Sequence, residues 1–158
     1  QPFFAPADIP MNIMDVEKVK NVRVEVEGQN VTVSSVLLGV PHTEVFVDKV
    51  TDAPLMTLGP KIEKHALFPK GTNVNFVEVV DDKTIAVRTW ERGAGPTLAC
   101  GTGACASAVM SFESGFTGRS VDVNVYLGTL HIDYLSDGTV LMTGPAEEVF
   151  SVDVPFLG

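Results

Sequence analysis

Apolar and polar residues alternate along most of this chain with a period of two, the spacing that turns one face of a strand to a core and the other to water. Val22, Val24 and Val26 alternate with Arg23, Glu25 and Glu27, and Gly28-Gln29-Asn30 then leads into Val31-Thr32-Val33, a predicted hairpin. A short strand is expected at Val45, Phe46 and Val47, after Gly39-Val40-Pro41-His42. Residues 73–80 and 84–90 read as a second hairpin joined at Asp81-Asp82-Lys83. Further on, Val121, Val123 and Val125, then Leu130, Ile132 and Tyr134, repeat the alternation. Gly128 and Ser136-Asp137-Gly138 separate these strands from each other and from one over 139–143.

Two segments change to helical spacing. Leu55, Leu58 and Ile62 share a helical face, interrupted by Gly59-Pro60. Residues 104–112, rich in Ala and Ser, form the second helix and end before Ser114-Gly115. Small side chains all round predict a helix enclosed by other structure. Many short strands about one enclosed helix make the expected fold class α+β, built on antiparallel sheet.

Composition narrows this further. A chain of 158 residues fits one domain with a substantial core. With 45% hydrophobic and 20% charged residues it reads as an ordinary globular protein. No apolar run approaches the roughly 20 residues of a membrane span. The start, Gln1-Pro2-Phe3-Phe4, has no basic region ahead of an apolar stretch and so does not resemble a secretory signal. It opens without Met, as though cut within an element, and a fragment is expected. A net charge of −9 argues against nucleic acid as a partner, and the scattered acidic residues serve solubility. Cys100 and Cys105 are too few for a disulfide framework. With no Cys-x-x-Cys or His-x-x-His pair beside them, no metal site is expected either. Free thiols in a reducing compartment, the cytoplasm, are the expectation.

The stretch that carries chemistry is Arg88-Thr89-Trp90-Glu91-Arg92-Gly93-Ala94-Gly95-Pro96-Thr97-Leu98-Ala99-Cys100-Gly101-Thr102-Gly103-Ala104-Cys105. A strand ends in Glu-Arg, passes a Gly-rich loop, and reaches Cys-Gly-Thr-Gly at the mouth of a helix. A helix N-terminus offers unpaired N–H groups and a partial positive charge, which bind carboxylates and favour a thiolate. Gly101 and Gly103 lack Cβ atoms, so a ligand carboxylate can come close to the backbone. A thiolate beside a bound carboxylate suits removal of an amino acid's α-proton, with the same N–H groups meeting the developing charge. Cys100 read alone fits an inert core thiol equally well, and Cys105, in the second turn, reads as a small buried hydrophobe.

Several motifs together resemble the C-terminal half of the diaminopimelate epimerase family: Gly39-Val40-Pro41-His42, Thr72-Asn73-Val74-Asn75-Phe76-Val77-Glu78, Trp90-Glu91-Arg92-Gly93-Ala94-Gly95, Ala99-Cys100-Gly101-Thr102-Gly103-Ala104 and Leu141-Met142-Thr143-Gly144-Pro145-Ala146. The resemblance implies a barrel-like β roll around a central helix, one of two similar domains, with the active site in the cleft between them. Residues 1–158 would be the C-terminal domain, with 1–20 and 145–158 peripheral or bridging. It implies inversion of one stereocentre of diaminopimelate without pyridoxal phosphate or metal, by two cysteines on opposite faces of the substrate. Cys100 matches one of them; the other belongs to an N-terminal domain outside this chain. Glu91 would assist Cys100, and His42 would serve the other cysteine. The N–H groups of Gly101 and Thr102 would hold the reacting carboxylate, while Asn73, Glu91 and Arg92 would bind the substrate, Asn73 and Arg92 at its distal end. A homodimer is also implied.

Taken singly, these residues have ordinary alternatives. Arg92 fits a bidentate carboxylate pair or a surface ion pair. Glu91 suits a proton partner or a solvated strand end. His42 suits a proton partner or an idle loop histidine, and Asn73 a ligand or a turn cap. His65 and His131 carry no motif and read as structural or solvated. The family usually has Asn before Pro-His, where it would contribute to the distal substrate site; this chain has Val40, which donates no hydrogen bond, so the resemblance does not by itself imply strict selectivity for diaminopimelate. Two other readings follow: a related cofactor-independent racemase for another substrate, of the proline-racemase kind, and a non-catalytic domain of the same fold.

Overall fold

The computed structural model describes residues 1–153. In chain order its elements are β1 (Val22–Val26), β2 (Gln29–Leu38), β3 (Val40–Phe46), α1 (Leu55–Glu63), β4 (Asn73–Asp81), β5 (Thr84–Glu91), β6 (Gly95–Thr97), α2 (Gly101–Glu113), β7 (Ser120–Val125), β8 (Gly128–Tyr134) and β9 (Val140–Thr143). They pair in the order β1-β2-β3-β4-β5-β7-β8-β9, with β6 added to β5. Among the described residues six junctions are antiparallel and two, β3–β4 and β5–β7, are parallel. Parallel neighbours need a crossover, and α1 and α2 each supply one.

Strand alternation then sorts side chains into two cores. Val45, Val74, Phe76 and Trp90 face α1, whose Ile62 packs with them. Phe46, Val77 and Val87 face α2 on the opposite side, with Ala104, Cys105 and Ala108. The sheet curls around α2, which touches β2, β3, β4, β5, β7, β8 and β9. Every residue from 103 to 111 is buried, and only Ala, Gly, Ser, Cys, Val and Met occur there, so strands can approach the helix from all sides. This is the α+β roll about a central helix. Ile9, Met11 and Val19 add the N-terminal segment to the α1-side core. Residues 145–153 form no helix or strand and leave Val149, Phe150 and Val152 exposed. The rest of the 145–158 segment, 154–158, lies outside the described residues.

Two differences from the alternation pattern bear on function. β2 runs on through Ser34 and Ser35, buried polar residues that the apolar rule cannot place. Ser34 Oγ accepts from the Asn21 N–H (2.9 Å) and Ser35 Oγ bonds Thr43 Oγ1 (3.0 Å). β3 likewise starts at Val40 instead of Val45, so His42 stands on a central strand and not in a loop. His42, Thr43 and Glu44 are all fully buried. The interior is polar here, and that hides the strand from a hydrophobic pattern.

Candidate active site

Cys100 is the residue that caps α2. Its backbone is extended (φ −133°, ψ 107°), and its Sγ accepts from the Gly103 N–H at 3.3 Å, the contact a Ser or Asp oxygen usually makes at an N-cap. Thr102 Oγ1 lies 3.6 Å from the sulfur. Gly101 and Thr102 are the first two helical residues, so their N–H groups have no intrahelical acceptor. Cys100 is buried, 8% exposed, while Leu98, Ala99 and Thr102 beside it in the chain are exposed. A Cβ on Gly101 would meet Met142 Sδ and Cε of β9 at 3.3 Å. A Cβ on Gly103 would come within 2.8 Å of Asn75 Oδ1 and 3.2 Å of both Cys100 Sγ and Thr89 Oγ1. An alanine at 103 would force Asn75 to shift and would crowd Cys100 Sγ and Thr89 Oγ1.

Beneath the sulfur lies a polar strip across three strands. Glu44, Asn75 and Thr89 stand directly opposite one another on β3, β4 and β5, and His42 lies opposite Asn73. Asn75 Nδ2 donates to Glu44 Oε1 (3.0 Å) and to His42 Nδ1 (3.2 Å), while the Thr89 hydroxyl donates to Asn75 Oδ1 (2.9 Å). Burial, and secondarily the Arg92 charge, push the His42 pKa down to about 4. Burial pushes Glu44 up to about 8, against the Asn75 hydrogen bond. Both side chains are therefore neutral at pH 7. Among the described residues His42 Nε2 and Glu44 Oε2 have no hydrogen-bond partner.

The end of β5 is fastened separately. Asn73 Oδ1 accepts from the Arg92 N–H at 2.8 Å. The Glu63 carboxylate at the end of α1 accepts from Trp90 Nε1 (2.6 Å) and from the Gly93 N–H (3.1 Å). Arg92 Nη1 donates to the Lys70 carbonyl at 2.8 Å, and the arginine stem packs over Gly71.

Of the residues singled out in the sequence, Cys100, Gly101 and Thr102 thus meet at one helix mouth. His42 and Asn73 lie on adjacent strands, with His42 tied by Asn75 to the strip below the sulfur. Glu91 is half-buried at the β5 end, opposite Gly95 of β6. The Arg92 guanidinium is engaged by Lys70 and makes no bond to the Cys100 side. Glu44, Glu63, Asn75 and Thr89 carry the framework and were not singled out. The signal for them was a polar residue at an inward position of an apolar strand or helix end, such as Asn75 between Val74 and Phe76. His65 is structural: its Nε2 bonds the Glu25 carbonyl (2.9 Å) and its Nδ1 accepts from the Leu67 N–H (3.2 Å). His131 is partly exposed, with Nδ1 2.6 Å from Asp122, whose hydrogen bond raises its pKa.

Cys105 is buried in the α2-side core, and desolvation, then the Cys100 charge, push its thiol up to about 11. Relative to a free thiol near 8.5, that leaves it about 10²-fold less thiolate at pH 8. Iodoacetamide at pH 8 is expected to modify Cys100 and spare Cys105, as read by peptide mass mapping. Equal labelling of the two would contradict the helix-mouth assignment.

The family described as diaminopimelate epimerase matches residues 34–149. A diaminopimelate epimerase of Leptospira biflexa is 46% identical over 98% of this chain and 55% of its own length. One of Caldanaerobacter subterraneus is also 46% identical, over 97% of the chain and 56% of its own length. One of Heliobacterium modesticaldum is 50% identical over 79% of the chain and 45% of its own length. The chain spans about half the length of the curated relatives it matches. Among solved structures, a phenazine biosynthesis protein of the PhzF family from Enterococcus faecalis matches 61% of the chain and 34% of its own, with 13% identity and a TM-score of 0.48.

Proposed function

This chain belongs to the diaminopimelate epimerase family, and on that premise we propose that it supplies one half of the catalytic apparatus that converts LL- to meso-diaminopimelate for lysine and peptidoglycan precursor synthesis. The observation that carries the reading is the Cys100 sulfur held on the Gly103 N–H, beside the two amides of Gly101 and Thr102 that face no intrahelical acceptor.

The chemistry follows from that arrangement. The substrate carboxylate sits on the Gly101 and Thr102 amides, which places its α-carbon against the sulfur. As thiolate, Cys100 takes the α-proton; the electron pair moves into the carboxylate, where the amides and the helix dipole meet the added charge. A proton delivered to the opposite face completes the inversion. The sulfur at 100 faces one side only, so the second group, a cysteine served by His42, comes from the other half of the enzyme. In the other direction the roles exchange, Cys100 acting as the thiol acid. Glu91 assists Cys100, and Asn73, Glu91 and Arg92 recognise the substrate, Arg92 after leaving Lys70. Neither pyridoxal phosphate nor a metal takes part. The enzyme works in the cytoplasm as a homodimer.

Val40 favours a second reading, a related racemase with another substrate. It begins β3 on the same face as His42, where an amide donor would otherwise help hold the distal end. The full-length protein in D2O, without added cofactor, separates the readings. LL-diaminopimelate should exchange its α-hydrogen and become the meso form, while amino acids lacking the distal amino-acid end stay unchanged. Turnover of those simpler amino acids with none of diaminopimelate would establish the racemase reading instead.

A further inference from the structure

Glu63 is the last residue of α1, and both of its carboxylate oxygens are engaged at the end of β5. Oε2 accepts from the Trp90 indole N–H at 2.6 Å and Oε1 from the Gly93 amide at 3.1 Å. Each partner can only donate, so the direction of both bonds is fixed by chemistry. Between these two holds stand Glu91 and Arg92. We infer that Glu63 is a positioning residue for the reaction: by bridging Trp90 and Gly93 it fixes the turn that carries Glu91 and Arg92, so that Glu91 faces the Cys100 side of the sheet and Arg92 leaves from a set backbone position. This role rests on the reading of Glu91 and Arg92 proposed above.

The faces follow from alternation along β5. Ile85 and Val87 pack into the core around α2, Thr89 lies beside Gly103, and Glu91 is the next residue of that row. Trp90 faces the other way and packs with the α1-side core. Its indole is seated over Gly59, four residues before Glu63 and so on the same face of α1. A Cβ on Gly59 would come within 2.9 Å of Trp90 Cβ and Cγ. Beyond Trp90 the chain turns: the Ala94 N–H bonds the Glu91 carbonyl (3.1 Å), which makes Arg92 and Gly93 the central residues, Gly93 with φ +78°. A turn of this kind has no acceptor of its own for the amide of its third residue; Glu63 supplies one from outside. The Arg92 N–H is held in turn by Asn73 Oδ1 at 2.8 Å. Glu63 therefore anchors the chain on both sides of the Glu91–Arg92 step. An isosteric amide cannot replace its carboxylate. Whichever way the amide turned, its NH2 would face either the indole N–H or the Gly93 N–H, and one hold would open.

The test uses the full-length protein with Glu63→Gln, which keeps the size of the side chain. Hydrogen exchange at the Trp90 indole and the Gly93 amide, followed by ¹⁵N NMR, reads the hold without substrate. E63Q should speed exchange at one of the two sites by about 10-fold, as expected for one lost hydrogen bond. KM for LL-diaminopimelate should rise about 10-fold and kcat fall by a similar factor, since small misplacements of positioning groups are costly. A fold that was merely loosened would leave fewer active molecules, lowering kcat with KM unchanged. In Trp90→Phe the indole donor is gone, and the amide oxygen of E63Q/W90F is free to accept from Gly93. Adding E63Q to W90F should therefore change KM by no more than about 2-fold, the sign that residues 63 and 90 act together. A wild-type KM in E63Q, an equally large KM rise in the W90F background, or unchanged exchange at both sites would each overturn the inference. Were E63Q alone not to fold, the folding and KM of the double variant decide on the same terms. A wild type that turns over no LL-diaminopimelate would overturn the epimerase reading alone, and exchange in E63Q would still decide whether Glu63 holds the turn.

Discussion

Replacing Cys100 by alanine in the full-length protein is expected to abolish epimerisation, with kcat down at least about 10³-fold and substrate affinity retained. Inversion at carbon needs a base on one face and an acid on the other, and a positioned proton-transfer group contributes roughly 10²–10⁴ in rate. Alanine removes the group on one face and leaves the Gly101 and Thr102 amides in place, so the carboxylate still binds. Cys100→Ser should be nearly as poor, since a hydroxyl is a far weaker acid than a thiol. Cys105→Ala is the internal control: it trims a side chain in the α2-side core and should cost stability without a comparable loss of rate. Stereospecific ¹H/²H exchange at the α-carbon, followed by NMR, reads all three. A Cys100→Ala enzyme that still converts LL to meso would place the base elsewhere.

That single position was legible in the sequence because its reasons are local. Cys-Gly-Thr-Gly ahead of an Ala-rich run says helix N-terminus, and α2 does begin at Gly101 with Cys100 as its cap. The β1–β2 hairpin, β7 and β8 were legible as well, since apolar inward residues alternate there with polar ones, whereas β4, buried on both faces, and β9, with Leu141 and Met142 exposed, were placed by the turns beside them. Strand direction was not legible. Side-chain alternation is the same in parallel and antiparallel strands, so nothing in residues 40–47 or 73–80 announced that β3 and β4 run side by side. Nor was the buried polar strip. Glu44 was not singled out, because no local rule places a carboxyl inward. Only the register that sets it against Asn75 and Thr89, residues 31 and 45 positions away, makes its burial tolerable. Glu63 was hidden for the same reason: its partners Trp90 and Gly93 arrive through the fold, not along the helix.

The cost of that strip should be visible in the pH dependence of stability. Glu44 titrates near 4.5 when unfolded and at about 8 when folded. Between those values the folded chain holds a proton that the unfolded chain has released, so stability contributed by this group is full below pH 4.5 and is lost as pH rises towards 8. His42, lowered from 6.5 to about 4, acts oppositely: the unfolded ring binds the extra proton, and stability rises from pH 4 to 6.5 and is level above. In the wild type the two trends offset each other up to about pH 6.5, and above it the Glu44 loss stands alone. Glu44→Gln removes the descending part while keeping the acceptor for Asn75. The variant should therefore match or trail the wild type near pH 5 and exceed it by a few kcal/mol above pH 8. Urea unfolding at pH 5, 7 and 9 measures the gap. Parallel stability curves for the two proteins would mean that Glu44 is ionised at neutral pH despite its burial. A widening gap would show that the buried carboxyl at 44 costs stability once it ionises, and that its hydrogen bond with Asn75 does not offset that cost.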